Sequence, residues 1–417
     1  MAGISSSHDL VKPDHTINEK VNYYVPALFS LGVLYFMMGF ITCLNDTLVP
    51  FFKKGFDLNY TSSSLVQFYF FLTYGLMSVP AGKIVQRIGY QKGMMMGFAI
   101  AAIGACLFFP AAVYHQYALF LGALFVLAIG IVLLQVAANP YITVLGPAET
   151  ASSRLTLVQG VGSIGTTVAP LFGAHFILAR LEEAGSSSDA VKYPYIGIAL
   201  LLIVIVLILS QLKLPVIQTA IPDENERNDG FRALFRFRNL SFGVWALFFY
   251  VGAEVAIGTF LTNYVADTLL ISETAANHYV AYYWGGMLVG RIVGGFFLRA
   301  VKPSVMLTGC ACLSVLLILT AMTTTSHLAV WSLVAVGLFN SVMFAIIFSL
   351  AVAGLGKYTT MASGILSTAI VGGAVIAFSL GFVKDHFSWS MAFCVPLLCY
   401  CYIIFYGING YRQRLTS

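Results

Sequence analysis

The sequence predicts an all-α polytopic membrane protein, with twelve transmembrane helices in two pseudo-symmetric six-helix halves. Three observations predict it. Of 417 residues, 59% are hydrophobic and only 9% charged, whereas a soluble domain is about a quarter charged. Apolar runs long enough to cross a bilayer, roughly 20 residues each, recur twelve times between polar breaks. A motif also repeats half a chain apart: "GKIVQR" (82–87) and "GGFFLR" (294–299) both set Gly and Arg five apart at a helix end.

Residues 1–22 form a polar tail without the basic-then-apolar layout of a cleaved signal, so the first apolar segment is expected to stay as a span. The N-terminal half covers 23–213, with spans near 24–50, 62–84, 93–113, 117–145, 155–179 and 194–213. Residues 214–238, of mixed charge with Pro215 and Pro222, read as a cytoplasmic linker. The C-terminal half covers 239–411, with spans near 240–266, 276–298, 304–324, 328–354, 360–383 and 388–410. Its last two spans separate at "KDHFSW" (384–389), and 412–417 is a second tail. With the N-terminus in the cytoplasm, 17 of the 22 Lys and Arg fall on the inner side, so both termini are expected there.

Several classes are excluded. The seven cysteines (43, 106, 310, 312, 394, 399, 401) show no CxxC spacing, which argues against a disulfide framework or a metal site. The net charge of +5 comes from loop Lys and Arg and does not make a nucleic-acid surface. No HExxH, GxSxG or P-loop lysine motif occurs, so no enzyme is expected.

Asp46 and Glu254 are the acids well within a span, on the first and seventh helices, which correspond in the two halves. Such an acid is costly at mid-bilayer and normally faces the bundle interior. Low dielectric disfavours its charged form, so Asp46 could carry a proton. Alternatively it stays ionised and holds Na⁺ with Thr42 one turn earlier, the adjacent Asn45 and a carbonyl freed by Pro50. The plainer readings are an acid locked by a cap or an arginine, and a simple kink at Pro50. Gln135 and Asn139 share one face of the fourth helix, as Gln159 and Ser163 do on the fifth. Amides offer donors and acceptors together, which suits a neutral polyhydroxyl solute; the alternative is interhelical glue. Asn263 and Asn340 are further amides of this kind. Tyr283 in "YYW" (282–284) and the aromatics at 68–71 could stack on the C–H face of a solute, or belong to an interfacial belt. Small residues in "GVGSIGTT" (160–167) and "IVGGAV" (370–375) permit close helix packing. Gly82, Lys83, Arg87 and Arg291 are assigned to a gating or loop motif. Arg154, Arg291 and Lys357, at inner helix ends, are expected to anchor to headgroups or make inner-gate contacts rather than touch a solute.

"GKIVQRIGYQK" (82–92) resembles the loop signature of the major facilitator superfamily, with Gln86 in place of the usual aspartate. "LNDTLVPFF" (44–52), "LQVAANPYITVLGP" (134–147), "RLTLVQGVGSIG" (154–165), "YVGAEVAIGTFLTNY" (250–264) and "GRIVGGFFL" (290–298) resemble its fucose–galactose–glucose:cation symporter family. The resemblance spans both halves. It implies the major facilitator fold, a site between halves that rock in alternating access, and inward movement of a neutral monosaccharide with Na⁺ or H⁺. The family's fucose:proton carriers share Asp46 and Gln159. They have glutamate at Gln135, glutamine at Glu254, and asparagines at Cys43 and Gly162. A glucose- or galactose-like hexose is therefore favoured over fucose, and loss of a protonatable group at Gln135 brings Na⁺ forward. The family also implies a bacterial inner-membrane location, a functional monomer, sugar and lipid as partners, no nucleic acid, and no cofactor beyond the co-transported ion. A passive sugar uniporter and a drug/proton antiporter of the same superfamily are the alternatives.

Overall fold

The structure, a computed structural model, describes residues 21–56, 60–178, 188–212, 214, 234, 236–271 and 273–413. The expected tails (1–22, 412–417) and linker (214–238) lie largely outside these.

Apolar side chains keep each run in hydrocarbon, where the backbone must bond to itself, and a helix does so within one segment. The N-terminal half holds α1 (Val21–Gly55), α2 (Tyr60–Ile88), α3 (Tyr90–Val113), α4 (Tyr117–Val144), α5 (Ala151–Gly173) and α6 (Lys192–Gln211). The C-terminal half holds α7 (Arg238–Leu269), α8 (Glu273–Phe297), α9 (Pro303–Thr323), α10 (Ser326–Val352), α11 (Gly356–His386) and α12 (Trp389–Gly410). Among the described residues, nine helices are long and apolar enough to cross a membrane. The break at "KDHFSW" is real: Phe387 is extended, and the Ser388 hydroxyl accepts the Met391 N–H (3.4 Å), capping α12.

Two spans are interrupted near their middles, and α12 breaks close to its start, at Phe393. α10 is interrupted between Asn340 and Met343, and α11 tightens into a 3₁₀ turn at Ala369–Val371. Neither break contains proline. The α10 break is held by tertiary partners that satisfy its freed carbonyls. Tyr250 Oη donates to the Asn340 carbonyl (3.1 Å) and Arg291 Nε to the Ser341 carbonyl (3.4 Å).

Within each half the glycine-rich helix lies backbone to backbone on the first helix of that half. A Cβ on Gly165 of α5 would come 2.1 Å from the Phe36 carbonyl of α1. A Cβ on Gly372 of α11 would come 2.2 Å from the Phe248 carbonyl of α7. These two contacts lie inside the halves, whereas Gly160 faces Arg291 and Ile292, and Gly373 faces Phe71, across the halves.

Among the described residues, the side-chain hydrogen bonds that join the halves gather toward the end bearing Lys83, Arg87, Arg299 and Lys357. Gly82 of α2 meets Gly364 of α11, where an added Cβ would lie 3.3 Å from the Gly364 Cα. On α5, Ser152 Oγ lies 2.5 Å from Ser349 Oγ of α10, and Ser153 donates to the Gly295 carbonyl of α8 (2.5 Å). On α11, Ser363 donates to the Val136 carbonyl of α4 (3.1 Å), and Thr360 to Tyr90 Oη of α3 (2.8 Å). Pro140 has no N–H and leaves the Val136 carbonyl without its helical partner, which is why Ser363 can use it. The two copies of the motif differ in their contacts: Gly82 meets α11 across the halves, whereas its counterpart Gly294 packs on Val342 and Met306 in its own half, and the neighbouring Gly295 meets Leu157 of α5.

Candidate functional site

Polar side chains from both halves converge in one buried layer. On α7, Tyr250 and Glu254 stand one turn apart, and both are buried. The Asn340 side chain, at the α10 break, is a hub: Nδ2 donates to Tyr283 Oη of α8 (3.0 Å), and Oδ1 accepts from Tyr400 Oη of α12 (2.6 Å). Tyr283 Oη in turn donates to the Glu254 carbonyl (3.2 Å). The Glu254 carboxylate lies 4.0 Å from Arg291 Nη2. Arg291 also reaches across the halves, where Nη1 donates to Ser163 Oγ of α5 (2.5 Å).

In the N-terminal half Tyr35 of α1 donates to Asn139 Oδ1 of α4, echoing the Tyr250–Asn340 contact between α7 and α10. Ser163 Oγ lies 3.2 Å from the Gln159 carbonyl and can donate to it. The Oε1 atoms of Gln135 and Gln159 are buried with no hydrogen-bond partner. Both glutamines sit roughly 12–14 Å from the closed ends of their helices, at about 1.5 Å per residue, and so share a depth. A buried amide oxygen without a donor costs about 1–3 kcal/mol, a cost that a visiting hydroxyl would remove. The pair can therefore recognise hydroxyl groups without placing charge beside them.

Other expected residues fall as follows. Asp46 and Asn45 lie on α1, but their side chains, like that of Pro50, are outside the described residues. Thr42, one turn before Asp46, is half-buried. Asn263 is exposed, toward the C-terminal end of α7. Asn340 and Tyr283 are fully engaged with each other and their neighbours. The Tyr283 ring is buried edge-on to Trp284 (5.3 Å, 79°), so it offers no stacking face. Phe68, Tyr282 and Trp284 are exposed, and Tyr282 packs on Trp331 (5.6 Å), as in an interfacial belt. Lys83 and Arg87 are exposed at the closed end. Arg291 is no loop residue, since it lies within the polar layer.

Arg154 does more than anchor. It caps α4, donating to the Ile142 (3.2 Å), Thr143 (2.9 Å) and Pro147 (2.8 Å) carbonyls. Sequence reasoning missed Tyr35, Tyr250, Tyr400, Ser152 and Ser349. A usable signal existed for Tyr250, one turn from a buried acid, because a buried Tyr hydroxyl usually finds a partner. Among the described residues no His, Cys, Asp and Glu group could hold a metal ion.

A family model described as Major Facilitator Superfamily matches residues 29–378. A glucose/galactose transporter of Brucella abortus (biovar 1, strain 9-941) is 48% identical over 405 residues, covering 96% of this chain and 98% of its own. The L-fucose-proton symporter of Escherichia coli K12 is 29% identical over 423 residues, covering 94% of this chain and 95% of its own. A crystal structure of the transporter FucP in the outward conformation matches with a TM-score of 0.86 at 28% identity, covering 94% of this chain and 100% of that one.

Proposed function

The chain belongs to the Major Facilitator Superfamily, and from that premise we propose that it is a cation-coupled symporter of a neutral, glucose- or galactose-like hexose. It moves the sugar into the cell by alternating access. The observation that carries the sugar reading is the pair of buried, unpartnered amide oxygens on Gln135 and Gln159. Their neutral, hydroxyl-seeking chemistry agrees with the substrate named for the 48% identical relative. We read the end where the contacts between the halves gather as cytoplasmic from the Lys and Arg bias, and the conformation as outward-facing, like the outward FucP structure that it resembles. Asp46, with Thr42 and Asn45 beside it, is the coupling acid for Na⁺ or H⁺, and no other cofactor is required.

Sugar counterflow in proteoliposomes tests this, using a panel of hexoses and 6-deoxyhexoses with and without Na⁺ at several pH values. Exchange of glucose or galactose, and weaker exchange of fucose, is expected. No exchange with any member of the panel would sink the reading. Uphill uptake that needs Na⁺ assigns that ion; uptake driven by an imposed pH gradient without Na⁺ assigns the proton.

A further inference from the structure

Thr156 of α5 and Ser367 of α11 are both buried, and neither hydroxyl has a hydrogen-bond partner. The two occupy corresponding places in the halves. Thr156 stands one turn after Ser152, and Ser367 one turn after Ser363. Thr156 and Ser367 are 211 residues apart, as are Ser152 and Ser363, against 212 for the two copies of the glycine–arginine motif. We propose that Thr156 and Ser367 form a release subsite, which takes up hydroxyls of the sugar as it leaves Gln135 and Gln159 for the inner side. The proposal rests on the sugar reading.

Hydroxyls on such helices are ordinarily spent on their own backbone. Ser163 and Thr167 of α5 bond the carbonyls four residues earlier (3.2 and 2.8 Å). Thr368, next to Ser367, bonds the Gly364 carbonyl (3.1 Å). Thr156 and Ser367 make no such bond, although burial makes an unpaired hydroxyl unfavourable. Among the described residues, the other buried hydroxyls without a partner are Ser78 and Ser314. The motif spacing pairs these with Gly290 and Ala102, which have no hydroxyl.

The position is that of a next step for the solute. Ser152 meets Ser349 of α10, and Thr156 lies between that contact and Gln159, about 4.5 Å from the latter along the helix axis. Ser363 holds the carbonyl of Val136, the residue after Gln135, and Ser367 lies one turn further in. Both hydroxyls thus stand just behind the contacts that close the end, beside the amide layer. Parting the halves there breaks those two contacts and uncovers the hydroxyls behind them. Each can donate one hydrogen bond and accept two, so it can replace an amide partner of the sugar without adding charge. Covered while the molecule faces outward, the pair acts on sugar at the inner face alone.

Net transport of D-glucose and D-galactose by the full chain, in right-side-out and in inverted membrane vesicles, separates the two faces. Thr156→Val combined with Ser367→Ala removes both hydroxyls. Half-saturating sugar at the inner face should rise roughly tenfold, the value of one neutral hydrogen bond, while that at the outer face and the melting temperature in detergent should not change. Equal rises at both faces, or no rise at the inner face, overturn the subsite. Either single variant carries the test if the pair does not fold. With the seven native cysteines replaced by alanine, Thr156→Cys and Ser367→Cys should react with a membrane-impermeant maleimide from the inner side only, and D-galactose should slow the reaction. Reaction from the outer side, no reaction, or a rate indifferent to D-galactose in a chain that transports it also overturns the subsite. An unaltered chain that transports neither sugar sinks the sugar reading itself, whereas normal transport with an unchanged inner half-saturation in the variants sinks the subsite alone.

Discussion

Asn340 engages both ends of its amide with tyrosine hydroxyls, whereas Gln135 and Gln159 keep buried oxygens without a donor. This contrast separates structural from waiting groups. Gln159→Ala should raise the KM for sugar about tenfold, the value of one neutral hydrogen bond, and leave the melting temperature in detergent unchanged. Asn340→Leu should do the reverse. It leaves the Tyr400 hydroxyl without its acceptor and Tyr283 Oη with the Glu254 carbonyl alone, and should cost about 1–2 kcal/mol, given the modest worth of hydrogen bonds in membranes, read as a lower melting temperature. Asp46→Asn should keep counterflow and lose uphill uptake; full concentrative uptake in that variant would remove Asp46 from coupling. The acids and amides were legible in the sequence because hydrocarbon makes such groups rare. Their division of labour was not. Helical spacing says which residues share a face, but not that Arg291 reaches from α8 to α5 or that Tyr400 arrives from α12.

At the scale of elements, the twelve spans were legible almost to their ends, because hydrocarbon leaves the backbone few alternatives to a helix. The two mid-span breaks were not. "GLFNSVMF" (337–344) carries no local breaker at its centre, and the break depends on Tyr250 and Arg291, which come from other helices. The glycine-rich face of α5 was legible, and its partner α1 was not. Gly165→Val should prevent close approach of α1 and α5, since even a Cβ there would lie 2.1 Å from the Phe36 carbonyl. Size-exclusion chromatography in detergent should show loss of the monodisperse peak.

Over the whole molecule, corresponding contacts close one end. Ser152 of α5 meets α10, and Ser363 of α11 meets α4, as the pseudo-two-fold requires. A Ser152→Cys, Ser349→Cys pair places thiols where hydroxyl oxygens stand 2.5 Å apart. Oxidation should arrest uptake, reductant should restore it, and neither single variant should respond. Continued uptake in the oxidised pair would mean that this end does not open during the cycle. The repeat announced two related halves in the sequence, yet the contacts between them depend on residues without a motif.

The breaks in α10 and α11 make the halves mechanically unequal. The N-terminal helices run through α2, α3 and α4 despite an internal proline in each, while the C-terminal half is jointed at 341–342 and 369–371. The compliant half would take up the strain of turnover at those joints. A molecule wedged against either joint would then stall the cycle without competing for the sugar, lowering the maximal rate at unchanged affinity, and so would act as a non-competitive inhibitor.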